Sequence, residues 1–224
     1  MMRGEQCTGK ECIRQASPRD IEALVDIYIE CFPERVAEVF GGGHRRVFIR
    51  DYLLFYLAWD PLSNWVYVKD STVVGFVMVP CHYSPWKAML RRAQLFRWIG
   101  HFVLGKYGFP GYVVRQFFSG GFAFTADPMI KRFQGKPFIH LIAVKTTVGK
   151  ESAQSLLGIG RQLLRFAIAE QRKQGVRFWW ALVQPTGTRF IPIWKRMGFK
   201  ICPVSNDKVL ALLGEPDEDI CHLE

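Results

Sequence analysis

The feature that most constrains this chain is an apolar strand followed, after a loop, by a helix with two glycines near its start. The strand Phe138–Lys145 reads FIHLIAVK and is too apolar for the exposed edge of a sheet. The helix is predicted over Ser155–Gln174, because its apolar residues share one arc, arginines lie opposite, and Gly175 follows as a C-terminal cap. This pair of elements anchors the prediction of the fold.

Further strands and helices alternate around this pair. A helix is predicted to start at Ser17-Pro18-Arg19-Asp20, with Ser as N-cap and Pro at the first helical position, and to end at Phe32-Pro33. The other predicted elements are strands at 11–17, 177–183, 199–204 and 208–213, a hairpin at 64–69 and 73–80, and helices at 47–59 and 187–197. This order implies an α/β sheet with helices on both faces. A chain of 224 residues needs no second domain, so we expect one domain over 1–224.

Gly158 and Gly160 indicate a phosphate site at the start of the long helix. The positive end of a helix dipole presents N–H groups that hold a pyrophosphate, and glycines let its oxygens approach the backbone without a Cβ in the way. Close packing of the helix on the sheet would also favour glycines. The Gly-x-Gly spacing by itself does not separate these two interpretations.

The order of the elements resembles that of the GNAT superfamily of N-acetyltransferases. The segments that carry the resemblance are IHLIAV, LLGIGRQLLRFAIAEQRKQG, VRFWWALV and RFIPIWKRMGF. It covers about 137–200 well, and 11–83 in order and pattern only. It implies a mixed, mostly antiparallel central sheet and acetyl-CoA or another acyl-CoA as co-substrate. The CoA-binding residues that it implies are Ile142, Ala143, Val144, Ser155, Gly158, Ile159, Gly160, Arg161 and Trp194.

Three features depart from the family pattern. Ser155 stands where the family has Arg or Gln, and the loop between Val144 and Gly160 is longer than usual. Trp194 occupies the position that usually carries a tyrosine general acid. An indole can pack against a thioester, but it cannot protonate a thiolate at neutral pH. These departures keep open a second function, that of a non-catalytic acyl-CoA-binding or membrane-surface regulatory protein.

His140 is the candidate general base for direct attack of an amine on the thioester. It falls where many relatives carry a Glu, and its ordinary pKa near neutrality suits proton transfer. A hydrogen-bonded core histidine is the alternative. The resemblance implies an oxyanion donor among the N–H groups near Ala143 or Val144. The acceptor is expected to be a small-molecule or peptide amine, held near the first two helices, where Glu30, Glu34 and the 52–56 region are available.

A basic, aromatic segment at 84–136 stands where the family has a short turn. It holds nine Lys and Arg against the single acid Asp127, which accounts for +8 of the net charge of +10. A helix is predicted over 86–104, with Arg97 on the same side as Trp86 and Leu90. Three interpretations remain: a packed helical subdomain, a substrate lid, and docking on an anionic membrane. Nucleic acid is not expected, because the aromatics cluster with aliphatics and do not form a stacking platform.

The remaining features predict a cytoplasmic protein, with peripheral membrane attachment as an alternative. The chain starts without the apolar stretch of a signal peptide, and it has no uncharged apolar run long enough to cross a bilayer. The six cysteines lack the spacing of zinc ligands, so we expect reduced thiols and no metal.

Overall fold

The computed structural model describes residues 6–8, 10–33, 36, 45–81, 94–107, 133, 135–145, 153–183, 191–205 and 208–214. Its strands are β1 Gln6–Thr8, β2 Glu11–Gln15, β3 Asn64–Lys69, β4 Thr72–Met78, β5 Leu141–Val144, β6 Trp179–Val183, β7 Lys200–Ser205 and β8 Lys208–Leu213. Its α-helices are α1 Ile21–Cys31, α2 Arg45–Trp59, α3 Gln94–Val103, α4 Ala153–Lys173 and α5 Ile191–Arg196. Short 3-10 turns at Pro18–Asp20 and Pro61–Ser63 precede α1 and β3.

The strands form two antiparallel sheets that touch at one point. The first has the order β1-β2-β3-β4-β5 and the second the order β6-β8-β7. At the junction, Ile139 N–H donates to the Trp180 carbonyl at 2.8 Å, and Trp180 N–H donates to the Pro137 carbonyl at 3.1 Å. This junction is parallel, at Phe138 and Trp180. The predicted mixed, mostly antiparallel sheet is therefore confirmed.

Helices cover both faces of the five-stranded sheet. On one face, α4 buries Ile159, Leu163 and Ala167 among residues that include Val77 and Trp179. On the other face, α1 and α2 form a second apolar cluster with β4 and β5. Gly75 of β4 allows the close approach of α4, because a Cβ there would lie 3.2 Å from Leu163 Cδ1 and 3.1 Å from the Ala143 carbonyl oxygen.

The start of α1 follows the predicted cap and adds an ion pair that the sequence did not indicate. The Asp20 carboxylate accepts hydrogen bonds from Ser17 N–H at 2.8 Å and Ser17 Oγ at 3.0 Å. Arg14 on β2 donates to both oxygens of the same carboxylate, at 2.9 and 2.7 Å. The first helix is therefore fixed to the sheet by a fork of charged hydrogen bonds.

Gln171 links α4 to both sheets through a buried amide. The side chain is 0% exposed and donates from Nε2 to the carbonyl of Val79, just after β4. Its Oε1 accepts from Trp179 Nε1 on β6 at 2.6 Å. A buried amide with both ends bonded holds its neighbours in one arrangement. Gln171 thus stabilises the relative position of the two sheets near their junction.

The structure corrects the expectation that all six cysteines are reduced. Cys12 is disulfide-bonded and lies opposite Cys7 in the β1–β2 register, so the expectation of reduced thiols is wrong for Cys12. Free thiols are found at Cys31, Cys81 and Cys202.

The part of the predicted 86–104 helix that lies in the described residues is α3. In the described part of the chain, no helix is both long and apolar enough to span a bilayer.

Candidate functional site

A β-bulge at the start of β5 sets the direction of the His140 side chain. Leu141 pairs with Met78 in the regular β4–β5 register, yet His140 N–H also donates to the Met78 carbonyl, at 2.9 Å. Two successive residues therefore lie opposite one. Such a bulge interrupts the alternation of side chains and turns the extra residue toward the face of its neighbour. His140 consequently faces α2, as Leu141 does.

On that face, His140 contacts two tyrosines of α2. Its Nε2 lies 2.5 Å from Tyr52 Oη, within hydrogen-bonding distance, and the donor depends on the tautomer of the imidazole. Tyr56 stacks on the imidazole with 4.1 Å between ring centroids and 21° between planes. Both Tyr52 and His140 are half-buried, whereas Tyr56 is 5% exposed. This arrangement joins two groups that can carry a proton and holds them in fixed orientations.

The edge of β5 away from β4 carries backbone N–H groups that no described strand bonds. Lys145 N–H donates to the Val74 carbonyl at 2.8 Å. This bond shows which residues of β5 point their N–H groups toward β4. In an antiparallel pair every second residue bonds its partner, so the N–H groups of Ile142 and Val144 point away from β4. No described strand pairs with β5 on that side. Of the two oxyanion donors that the resemblance implies, only Val144 presents its N–H to this edge.

Cys31, at the C-terminal end of α1, reaches the same edge of β5. Its Sγ–H donates to the Val144 carbonyl at 3.1 Å. Burial raises the pKa of the Cys31 thiol to about 11, and the nearby Glu30 charge acts in the same direction. The thiol is therefore protonated at neutral pH and is a poor nucleophile.

The two glycines of α4 lie two residues further into the helix than predicted. The helix begins at Ala153, so the N–H groups without a helical partner belong to its first turn, which includes Ser155. The prediction that the Gly-x-Gly pair opens the helix is wrong in this detail. Ala153 to Leu156 precede the glycines, and their backbone N–H groups form the positive end of the helix dipole.

The surroundings of the glycines distinguish packing from open space. A Cβ on Gly160 would lie 3.6 Å from Val144 Cγ2 and 3.9 Å from Ile142 Cδ1, so this residue lies beside β5. A Cβ on Gly158 would meet nothing within 4 Å. Packing therefore does not require a glycine at 158, and the space beside it is open. The structure brings α4 and the 142–144 segment together.

The other candidates divide between core and surface. Ile159 is 6% exposed and belongs to the core under α4. Trp194 is 9% exposed and meets Phe199 edge-on, with 4.8 Å between ring centroids, so it too is a core residue. Arg161 is exposed about one turn beyond Gly158. Ala143 is buried against α1 and α2.

Sequence reasoning missed the contacts of Tyr52 and Tyr56 with His140 and of Cys31 with Val144. The four-residue spacing of the tyrosines places them on one face of a helix, and this much was readable. Their contact with His140 depends on the bulge opposite Met78, which leaves no signature in the residue types. The approach of Cys31 to Val144 joins residues 113 positions apart, which no local pattern encodes.

No protein-family model matches the sequence, and no curated protein sequence is significantly similar to it. Solved structures do share its architecture. SsHAT is similar with a TM-score of 0.65 at 15% identity, over 92% of this chain and 98% of its own. PaiA N-acetyltransferase of Thermoplasma acidophilum, solved with coenzyme A, has a TM-score of 0.54 at 13% identity, over 92% and 99%. YncA of Salmonella typhimurium, solved with acetyl-CoA, has a TM-score of 0.52 at 17% identity, over 93% and 96%.

Structural similarity at identities this low establishes the fold alone. The chemistry depends on the residues of this chain. Each of these matches covers almost the whole length of both partners. The central sheet, the helices on both faces and the junction of two sheets beside β5 therefore belong to one known architecture. The chain has the fold of the GNAT-type N-acetyltransferases, which confirms the fold that the sequence resemblance implied.

Proposed function

We propose that this protein is a CoA-dependent N-acyltransferase that moves an acetyl group from acetyl-CoA to an amine by direct attack. The observation that carries the proposal is the His140–Tyr52 pair at the start of β5, beside a strand edge whose N–H groups no described strand bonds. One element thus offers both a binding edge and a proton acceptor. A longer acyl chain is a variant of the same proposal, and no metal takes part in it.

The free edge of β5 is the binding element for the acyl-pantetheine arm. The N–H groups of Ile142 and Val144 point to that edge, where they can bond amide oxygens of an extended ligand as a neighbouring strand would. The first turn of α4, with Ser155, offers N–H groups to the pyrophosphate. Open space at Gly158 and the exposed cation of Arg161 support a phosphate at this position.

The transfer step needs a proton acceptor and stabilisation of a developing negative charge. The amine nitrogen attacks the thioester carbonyl carbon, a C–N bond forms, and the carbonyl electron pair moves to its oxygen, which accepts from Val144 N–H. Tyr52 passes the ammonium proton to Nε2 of His140, with which it already shares a hydrogen bond. Collapse of the intermediate breaks the C–S bond and releases the CoA thiolate.

In this proposal Tyr52 is the general acid, because position 194 carries no tyrosine. Trp194 lies in the core beside Phe199 and has no proton to give at neutral pH. Tyr52 carries a hydroxyl next to the base, so it can return the proton from His140 to the CoA thiolate. The amide product and CoA–SH then leave, and the His140–Tyr52 pair is restored to its starting protonation state.

Thiol release tests the proposal. The protein is incubated with acetyl-CoA or a long-chain acyl-CoA and a panel of small amines and N-terminal peptides, while binding is followed by calorimetry. We expect release of free CoA that depends on both protein and amine. Acyl-CoA binding without release against any amine would favour a regulatory acyl-CoA-binding protein. Failure to bind either ester would contradict both functions.

A further inference from the structure

The helix α3 turns its polar side chains toward the protein. Its Arg97 forms an ion pair with Asp51, with Nη2 3.0 Å from Oδ1, and His101 Nδ1 lies 2.6 Å from Oδ2 of the same side chain. Tyr107, just beyond the helix, donates to Asp51 Oδ2 at 2.7 Å. The Asp51 side chain is 2% exposed, so three polar groups of the 84–136 segment converge on one buried anion of α2. This inner contact fixes the orientation of α3.

The same orientation places the apolar side chains of α3 outside. Phe96, Ile99 and Val103 recur at helical spacing and are 77%, 51% and 76% exposed. Together with Phe102 at 44% and Leu104 at 69%, they form what we call the outer stripe of α3. Among the apolar side chains of α3 that the structure describes, Trp98 is the one that turns inward, toward the rings of Phe48 and Phe55 on α2. Among the described residues, Leu62 is the one other large apolar side chain with comparable exposure.

This arrangement changes the interpretation of the charge pattern. On the sequence alone, Arg97 spoils the amphipathic character of the helix, because it lies among apolar residues. In the structure its charge faces Asp51, and the solvent side of α3 is left apolar. A substrate lid would turn its apolar side inward, whereas α3 turns that side outward.

We propose that the outer stripe of α3 docks on the interface of an anionic lipid bilayer. Aromatic and aliphatic side chains of an amphipathic helix enter the boundary between headgroups and acyl chains. The segment 84–136 carries a net charge of +8, and Lys106, two residues beyond Leu104, is exposed. Clustered cations add attraction to anionic headgroups. A second copy of the chain is the poorer occupant, since it would bring the same charge of +8 to the contact.

Vesicle co-sedimentation of the full-length protein, without acyl-CoA, tests the proposal separately from acyl transfer. The probes are phosphatidylcholine vesicles with and without phosphatidylglycerol. Phe96→Ser/Ile99→Ser/Val103→Ser removes the stripe, and Leu62→Ser is the matched control at an exposed apolar residue elsewhere. We expect wild type and Leu62→Ser to bind the anionic vesicles and to release them at high salt. The triple variant should bind the anionic vesicles at least about tenfold more weakly than the wild type.

Four results would overturn the proposal. The first is anionic binding that the triple variant retains, and the second is absence of binding by the wild type. The third is a wild-type dimer, seen by light scattering, that the triple variant does not form. That result would show that the stripe binds a second copy of the chain. Thermal melting checks that the triple variant is folded, and thiol release without vesicles should stay at the wild-type rate. A loss of that basal rate would assign the stripe to a lid.

Discussion

Nε2 of His140 lies 2.5 Å from the phenolic oxygen of Tyr52, and the ring of Tyr56 stacks on the same imidazole. Two independent local features produce this contact. The bulge opposite Met78 turns His140 toward α2, and the four-residue spacing puts both tyrosines on the face of α2 that meets it. Removing either partner should therefore change proton transfer without disturbing the binding edge of β5.

His140→Ala should lower the turnover number by about 10²–10⁴-fold, the usual contribution of a general base. Acetyl-CoA affinity should stay within about twofold of the wild-type value, which corresponds to a ΔΔG of binding below about 0.5 kcal/mol. Steady-state thiol release and calorimetry measure the two quantities. Near-normal turnover would return His140 to the role of a core histidine.

Tyr52→Phe should reduce turnover by a similar order and remove the hydroxyl that relays the proton. Tyr67→Phe is the matched control, because it also removes a phenol hydroxyl, one that donates to Glu11 at 2.6 Å and belongs to a residue of the cluster under α4, across the sheet from His140. The control should keep the wild-type rate. Equal rates for the two variants would show that Tyr52 takes no part in the reaction.

Gly158→Leu should weaken acetyl-CoA binding by about tenfold or more, equivalent to about 1.4 kcal/mol, by filling the open space beside α4. The helix itself should be no less stable, because leucine is a better helix former than glycine by roughly 0.5–1 kcal/mol. Gly100→Leu in α3 is the matched control, since a Cβ there also meets nothing within 4 Å. Unchanged affinity in Gly158→Leu would place the CoA elsewhere.

Cys31 should not form an acyl-enzyme, although it lies beside the proposed thioester site. Its pKa of about 11 leaves almost no thiolate at neutral pH, so iodoacetamide should react with it slowly at pH 7 and faster as the pH rises toward 11. Cys31→Ser should keep turnover near the wild-type value. Intact-mass detection of an acetyl adduct that disappears in Cys31→Ser would contradict direct attack.

Arg14→Ala should destabilise the protein at pH 7 by roughly 2 kcal/mol, the typical value of hydrogen bonds to a charged group. Burial raises the pKa of Asp20, but hydrogen bonds from Arg14 and Ser17 outweigh it and leave that pKa below 3.8. A lowered carboxyl pKa stabilises the fold above the unfolded value and loses that effect as the pH falls. The difference between wild type and Arg14→Ala should therefore shrink below about pH 4.

Urea unfolding at pH 7 and pH 3 measures this difference. Arg46→Ala is the control, because its partners Glu22 and Asp26 are more than half exposed and such surface pairs contribute at most about 1 kcal/mol. A difference between Arg14→Ala and wild type that is the same at both pH values would contradict the role assigned to Asp20.

The elements that could be predicted from the sequence are those that local patterns encode. The apolar arc of α4 and the cap at Ser17-Pro18 located two helices, and Gly175 with φ of +87° ended the first of these as predicted. The strand runs around residues 64–80 and 138–145 gave most of the five-stranded sheet. These features depend on residues that are neighbours in the sequence.

The features that could not be predicted depend on contacts between distant residues. The bulge at His140, the thiol of Cys31 at Val144 and the convergence of Arg97 and His101 on Asp51 each need the assembled fold. The last of these explains why the outer face of α3 is apolar although its sequence carries cations. A helical wheel shows which residues share a face, but not which face is buried.

Residue-resolved amide hydrogen exchange of β5, measured by NMR with and without acetyl-CoA, tests the central claim most directly. Leu141 and Ala143 already bond β4, whereas the N–H groups of Ile142 and Val144 point to the free edge. We predict that acetyl-CoA slows exchange at Ile142 and Val144 by about tenfold or more and changes Leu141 and Ala143 much less. Saturating acetyl-CoA that leaves Ile142 and Val144 unchanged would contradict binding at this edge.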